Sequence, residues 1–317
     1  MSIYATISST ISKTISGTIG FGQQSFVQRF GAGLSAAYFL ADLGSKRGTV
    51  DGVLNPVVRV RRTNGDLSAF TAANVASGAM LTYVGTGGSD NGQTAKLYDG
   101  SGNARDQLQN TVADMPLSVS GGALVAVNSS PALRFNGTSS FLVGDSTDAL
   151  ITDASQPFSM FVVTKMNDLT GVQRILSTAA SASQNFKGVS VYTNGSAIAV
   201  DIINSHPTQS IIARGGNIGS NQALLSVIYD GSKSVSGVSL WLNGSAVSLN
   251  IVTSDTLTVN DISSQFLGIG ASDVNGGGDL FAHMDFQFAA VYATANKSAD
   301  RPAIEASLAK EYNITLA

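Results

Sequence analysis

The chain has 317 residues, of which 43% are hydrophobic and only 12% charged, with a formal net charge of −3 and no cysteine. That length allows one large all-β domain with an appendage, or two ordinary domains, and the apolar share suffices for a sizeable core. The composition excludes disulfides, thiolate metal sites and cysteine nucleophiles; without a basic stripe it points to no nucleic acid, and without a long uncharged apolar run, to no membrane.

In chain order, Met1-Ser2-Ile3-Tyr4 has neither a basic n-region nor an apolar h-region, so a secretory signal is not expected. Residues 6–21 repeat a Thr-Ile-Ser tetrapeptide, and β-branched and hydroxyl residues disfavour helix. Read as an extended chain, the repeat puts Thr6, Ser8, Thr10, Ser12, Thr14 and Ser16 on one face. Ile7, Ile11, Ile15 and Ile19 fall on the other. One such strand cannot bury its isoleucines alone. Residues 1–29 therefore read as an arm that docks on a partner or joins copies of the chain, three of which could bury their isoleucines around one axis. A disordered tail is the alternative that the polar content allows.

Within residues 25–43, Leu34, Tyr38 and Ala41, with Ala37 and Leu40 beside them, predict a helical stripe before Gly44. Gly31-Ala32-Gly33-Leu34-Ser35-Ala36 formally fits a dinucleotide motif, but that motif needs a βαβ unit and a ribose-binding acid, so no nucleotide cofactor is expected. Residues 57–62 alternate as a strand, with Arg59 and Arg61 on one face and Arg62 on the other, and residues 70–78 look briefly helical. Asp99, Asn103 and Asp106 place oxygen donors in one turn-rich loop. A calcium cage takes about six or more oxygens, so an Asx-turn folding the loop on itself is the simpler reading, and no metal is expected.

From residue 117 the pattern is β throughout. Predicted strands are 132–135, 140–143, 158–166, 173–177, 188–192, 197–203, 222–229, 238–242, 265–269 and 284–292, with turn signals at Asn136-Gly137, Asn194-Gly195, Asp230-Gly231 and Asn243-Gly244. Residues 158–163 are apolar on both faces, as in a central strand. Met284, Phe286, Phe288, Ala290 and Tyr292 fall on one face, Asp285 and Gln287 on the other. Trp241, the only tryptophan, is out of phase with Val238, Leu240 and Leu242. Exposed, it could stack on a sugar; buried against the arm, a helix or another subunit, it would be structural. Asp273, Asn275 and Asp279 flank the glycines of an acidic loop that could meet sugar hydroxyls or a cation, or could simply connect two strands. His206 and His283 lack a serine elbow and a metal-spaced partner, so they read as structural and no catalytic residue is assigned. The chain ends in a helix capped by Ser298 or Asp300, with Pro302 in its first turn and Ile304, Leu308 and Tyr312 buried.

Four blocks in this order carry a resemblance: Gly33-Leu34-Ser35-Ala36-Ala37-Tyr38-Phe39-Leu40, Val57-Val58-Arg59-Val60-Arg61-Arg62, Tyr98-Asp99-Gly100-Ser101-Gly102-Asn103-Ala104-Arg105-Asp106 and Pro131-Ala132-Leu133-Arg134-Phe135-Asn136-Gly137. Residues 30–317 resemble the concanavalin A-like (LamG-type) domain of the α-L-arabinofuranosidase family, and more closely its non-enzymatic relatives in tailed-bacteriophage structural proteins. The resemblance implies an all-β jelly-roll sandwich ending in a short C-terminal helix, to which the Thr-Ile-Ser repeat adds an extended N-terminal arm. It also implies a place on the virion as a decoration or fibre, bound through the arm to a capsid or tail protein. The alternative it implies is a host-glycan adhesin, with Trp241, Asp273, Asn275 and Asp279 as candidate contacts. Relatives usually carry Trp before Tyr98 and Gln after Asp99, where this chain has Leu97 and Gly100. The enzymes of the family use a glutamate nucleophile in the sandwich, whereas Glu305 and Glu311 are the only glutamates here and both lie in the C-terminal helix. An enzymatic role is therefore not expected, and a glycoside hydrolase is the least favoured reading.

Overall fold

The computed structural model describes residues 24–145, 149–264 and 266–317. Ile7, Ile11, Ile15 and Ile19 of the repeat lie outside the described residues, as do Gln265 and the Asn275 side chain.

Two antiparallel layers form a β-sandwich. The first centres on Phe158–Met166, which pairs with Gln222–Tyr229 on one side and His283–Tyr292 on the other. Val238–Leu242 and Ser245–Val247 extend it at one edge. At the other edge, Leu133–Asn136 pairs with the first half of His283–Tyr292 and Ala36–Phe39 with the second. The second layer runs through Val172–Ser177, Gly188–Asn194, Ala197–Ser205, Gln209–Gly215 and Ile251–Asp255. It continues the other way through Gly268–Ile269, Leu142–Gly144 and Gln107–Leu108 to Gly92–Leu97 and Val58–Arg61. Met160, Val162, Leu225 and Val227 of the first layer share one core with Val191, Val200 and Ile211 of the second. That core forms because alternate residues of each strand point the same way. The hairpin after Val238–Leu242 turns at Asn243-Gly244, with φ of 49° and 84°, the mirror-image turn that fits right-twisted strands.

Two helices cover the outer face of the first layer. Phe26–Phe30 starts at Ser25, whose hydroxyl accepts the Gln28 amide while the Gln28 side chain accepts the Ser25 amide at 3.0 Å. The Phe26 ring lies 5.1 Å from Phe288, and Phe288 lies 6.1 Å from Tyr312. Residues 25–29, assigned from sequence to the arm, thus belong to the folded body. The C-terminal helix Arg301–Tyr312 buries Ile304, Leu308 and Tyr312 as its periodicity predicts, and ends at Asn313 in the left-handed region. Asp300 occupies the N-cap position without a side-chain cap bond. Its carboxylate meets Lys297 Nζ at 3.1 Å, and the Ser298 hydroxyl donates to Asn296 instead.

Two expectations are corrected, and two strands are new. The predicted stripe through Leu34, Tyr38 and Ala41 is no helix: Ala36–Phe39 is a strand, buried at all four positions and paired to the last strand. A short apolar run buried on both faces has no alternation to separate it from helix. The last strand does not keep its aromatic residues on one face. Val163 opposes Phe288 but Thr164 opposes Phe286, so Gln287 is the extra residue of a bulge. Phe288, Ala290 and Tyr292 therefore face the helices, while Met284 and Phe286 face the sandwich core. Gln209–Gly215 and Ile251–Asp255 were not anticipated as strands, because their polar and apolar residues mix without a clear period.

Candidate functional site

The Asp99 loop closes on itself. Asp99 Oδ1 accepts the amides of Ala37 and Ser101, each at 2.9 Å, and Oδ2 accepts the Ser101 hydroxyl at 2.8 Å and the Arg105 amide at 3.1 Å. Asp106 accepts the Asp99 amide, Arg47 Nε and Nη2, and Lys96 Nζ. The Asn103 amide nitrogen donates to the Leu34 and Ser35 carbonyls. These oxygens are engaged in folding the loop, as the Asx-turn reading predicts. Among the described residues no three His, Cys, Asp or Glu side chains gather as a metal site would require.

Trp241 is half-buried on the helix-covered face. The Arg301 guanidinium lies 4.3 Å from its ring centroid, Arg301 pairs with Glu305, and Glu305 accepts the Ser226 hydroxyl at 2.7 Å. One face of the indole is thus covered from within the chain.

The second layer has two unlike faces. Val189, Val191, Ile198, Val200, Ile202 and Ile211 enter the core. The opposite face carries Arg174, Tyr192, Asp201 and Arg214, gathered by register: Arg174 opposes Tyr192, Tyr192 opposes Ala199, and Ala199 opposes Arg214. Arg174 Nη1 donates to Asp201 Oδ2 at 2.9 Å, and the Tyr192 hydroxyl donates to Oδ1 at 2.8 Å. The Arg174 guanidinium lies over the Tyr192 ring at 3.9 Å. Arg174, Tyr192 and Asp201 are 5%, 5% and 4% exposed. Burial, and after it the Asp201 charge, push the Tyr192 hydroxyl well above its ordinary value, so it remains a donor. Among the described residues, Nε of Arg174 and Nε of Arg214 are buried with no hydrogen-bond partner, an uncommon state for a donor.

A cleft of about 210 Å³ opens over this cluster, floored by Arg174, Tyr192 and Asp201 and walled by Phe186, His206 and Leu280. Across Val172 and Leu280 it adjoins a second cleft of about 470 Å³, lined by Thr138, Asp168, Thr170, Asp279 and His283. The Thr170 hydroxyl, bonded to Asp168 at 2.6 Å, leads in holding that carboxyl below its ordinary value. The wall beside His283 requires Gly137: its φ is +74°, and an added Cβ would come within 2.8 Å of His283 Cβ.

The acidic glycine loop therefore borders a cleft through Asp279. It is tied at its base by paired Ser272 and Asp279 backbone bonds of 2.9 and 2.8 Å, and by the Asp273 amide donating to the Ala179 carbonyl at 2.9 Å. Trp241 is among the lining residues of neither cleft, so the structure does not bring it to the loop. The two histidines assigned as structural line one cleft each. Sequence reading missed Arg174, Tyr192, Asp201 and Arg214, although Arg174 and Asp201 each stand as a single charge within a mostly apolar strand.

No family model matches the sequence, and no curated protein matches it. Solved structures do. A GH54 α-L-arabinofuranosidase soaked with a cyclic sulfate inhibitor aligns with a TM-score of 0.61 at 14% identity, over 89% of this chain and 64% of that one. An arabinofuranosidase complexed with arabinofuranosyl-α-1,2-xylobiose aligns at 0.60 and 13% identity, over 88% and 63%. The chain shares their fold. It spans slightly less than two thirds of the length of either enzyme, and this identity speaks for fold alone.

Proposed function

We propose that the chain binds carbohydrate at the Arg174–Tyr192–Asp201 cleft and does not hydrolyse it. The observation that carries the reading is a buried polar cluster flooring a small cleft with Phe186 and Leu280 in its walls. Sugars present a C–H face to apolar walls and hydroxyls to fixed polar groups, and such a cleft offers both. The shared fold adds support, since one similar structure is a complex with arabinofuranosyl-α-1,2-xylobiose. The placement of the acids supports the non-hydrolytic part. A retaining glycosidase holds two carboxyls about 5–5.5 Å apart across the sugar. Here neither glutamate lines the two clefts: Glu305 is engaged by Arg301 and Ser226, and Glu311 lines a separate groove beside Arg29 and Asp42; of the aspartates that do, Asp201 is held by Arg174 and Tyr192, Asp168 accepts the Thr170 hydroxyl, and Asp279 accepts the Leu280 amide. A glycan array paired with a reducing-end assay tests both halves. Binding without turnover is expected. Silence on a broad array removes the binding claim, and turnover abolished by one aspartate substitution removes the other.

The setting we propose is the surface of a tailed bacteriophage, as a head decoration or tail fibre. Its support is in the sequence: 12% charged residues and the Thr-Ile-Ser repeat with Ile7, Ile11, Ile15 and Ile19 on one face. In this reading the repeat docks on a capsid or tail protein or joins three copies. Deleting residues 1–22 leaves a folded sandwich that no longer assembles or docks; a truncated chain that still binds particles normally would rule the arm out.

A further inference from the structure

We infer that the sugar taken by this cleft carries a carboxylate, as uronic and sialic acids do. The inference rests on the carbohydrate-binding reading and specifies its ligand. Two guanidiniums share one row of the sheet, Arg174 within the lining of the cleft and Arg214 outside it, beyond Tyr192 and Ala199, and among the described residues Asp201 is the carboxylate bonded to Arg174 and Tyr192. One positive charge is left over. Both Nε donors are buried and unpartnered, and Arg174, on the floor of the cleft, is only 5% exposed. Among the described residues Arg214 bonds at its far end, where Nη2 meets Thr253 Oγ1 at 3.3 Å. A guanidinium presents its donors as a planar fork that matches a carboxylate. The Arg174 fork is already held by its stack on Tyr192 and its bond to Asp201, so little ordering is lost on binding. The neighbouring cleft is of opposite character. Asp168 and Asp279 there accept hydrogen bonds and suit sugar hydroxyls. The pair of clefts thus orients a ligand: carboxylate toward Arg174, with Arg214 adding positive charge from outside the lining, ring edge against Phe186 and Leu280, and hydroxyls toward the aspartates.

The test uses the full chain and matched oligosaccharides bearing a free carboxylate, its methyl ester or the reduced primary alcohol, with hexuronic and sialic acids as separate arms. The free acid is expected to bind at least about tenfold more tightly than ester or alcohol, since a charge-assisted fork is lost in both. The preference weakens as salt is raised. It falls in Arg174→Lys, which loses the planar fork at the cleft, and weakens in Arg214→Gln, whose melting temperature stays near the parent's because Arg214 is partly exposed and outside the Arg174–Asp201 pair. The arm that binds tighter identifies the acid. Equal binding of acid, ester and alcohol, or an undiminished acid preference in both Arg214→Gln and Arg174→Lys, overturns the carboxylate inference and leaves carbohydrate binding standing. Silence on every neutral and acidic glycan overturns both.

Discussion

The molecule carries the same constellation twice, an arginine stacked on an aromatic ring and paired with a buried carboxylate. On the helix-covered sheet it is Arg301 over Trp241 with Glu305; on the other sheet it is Arg174 over Tyr192 with Asp201. The first joins a helix to a strand through Ser226 and lines neither of the two clefts. The second joins neighbouring strands, which the backbone ladder already holds, and it floors a cavity. Burial alone does not separate them, for the Arg174 side chain is 6% exposed and that of Arg301 18%. What separates them is that the more buried arginine keeps an unpaired donor.

The comparison can be broken most forcefully at Asp201. In Asp201→Ala, Arg174 is left charged in a site where both partners were 6% exposed, and unfolding free energy falls by about 3–5 kcal/mol in a denaturant titration. Replacing the pair together, as Arg174→Met with Asp201→Leu, brings stability back to within about 1–2 kcal/mol of the parent while abolishing glycan binding. A double variant as unstable as Asp201→Ala would mean the pair is needed for the fold itself.

Glu305→Ala is the counterpart on the other sheet. It removes the partner of Arg301 and the acceptor of Ser226, but Arg301 can turn toward water, so the expected loss is about 2–3 kcal/mol. Glycan binding stays at the parent level. Trp241→Ala follows with about 1–2 kcal/mol, from half-buried ring area and the lost cation–π contact. Array binding is again unchanged. A Trp241→Ala protein that keeps its melting profile but loses its glycans would reverse the assignment of the two faces.

Much of this architecture was legible in the sequence, because a sandwich writes itself as period-two alternation between turn signals. Phe158–Met166, Gln222–Tyr229 and Val238–Leu242 occupy the residues their patterns predict. Ala36–Phe39 was not legible, since four buried residues carry no period. The bulge at Gln287 was hidden for a different reason. Its side chain turns inward to donate to the Val127 and Ser130 carbonyls at 3.1 and 3.0 Å, partners far away in sequence. The cluster lay between these cases. Arg174 and Asp201 each interrupt an apolar strand, which flags them singly, but only the pairing of Val172–Ser177, Gly188–Asn194 and Ala197–Ser205 makes them neighbours. The loop with Asp273 and Asp279 was recognised by composition, and its role as a wall depends on Leu280 reaching the strand of Arg174, whose amide donates to the Leu280 carbonyl at 2.9 Å.

The smallest effect is expected at the rim of the cleft. Lys187 follows Phe186 and reaches Asp261, Nζ to Oδ2 at 2.6 Å; this bond leads, with those from Ser263, in lowering the Asp261 carboxyl from 3.8 to about 2. A carboxyl held low in the folded state adds stability that is complete above its unfolded value and is lost as pH falls through about 2. In Lys187→Ala the Asp261 value therefore rises toward 3.8 without reaching it, because the Ser263 bonds remain, and a carbon-detected NMR titration reads the change directly. Stability at neutral pH moves by no more than about 0.5 kcal/mol, since Asp261 is 63% exposed and its pair is screened by water. Glycan affinity drops less than in Arg214→Gln, because losing the tether loosens the Phe186 wall and leaves the charged floor intact. An affinity loss larger than that of Arg214→Gln would move the centre of recognition from the arginines to the rim.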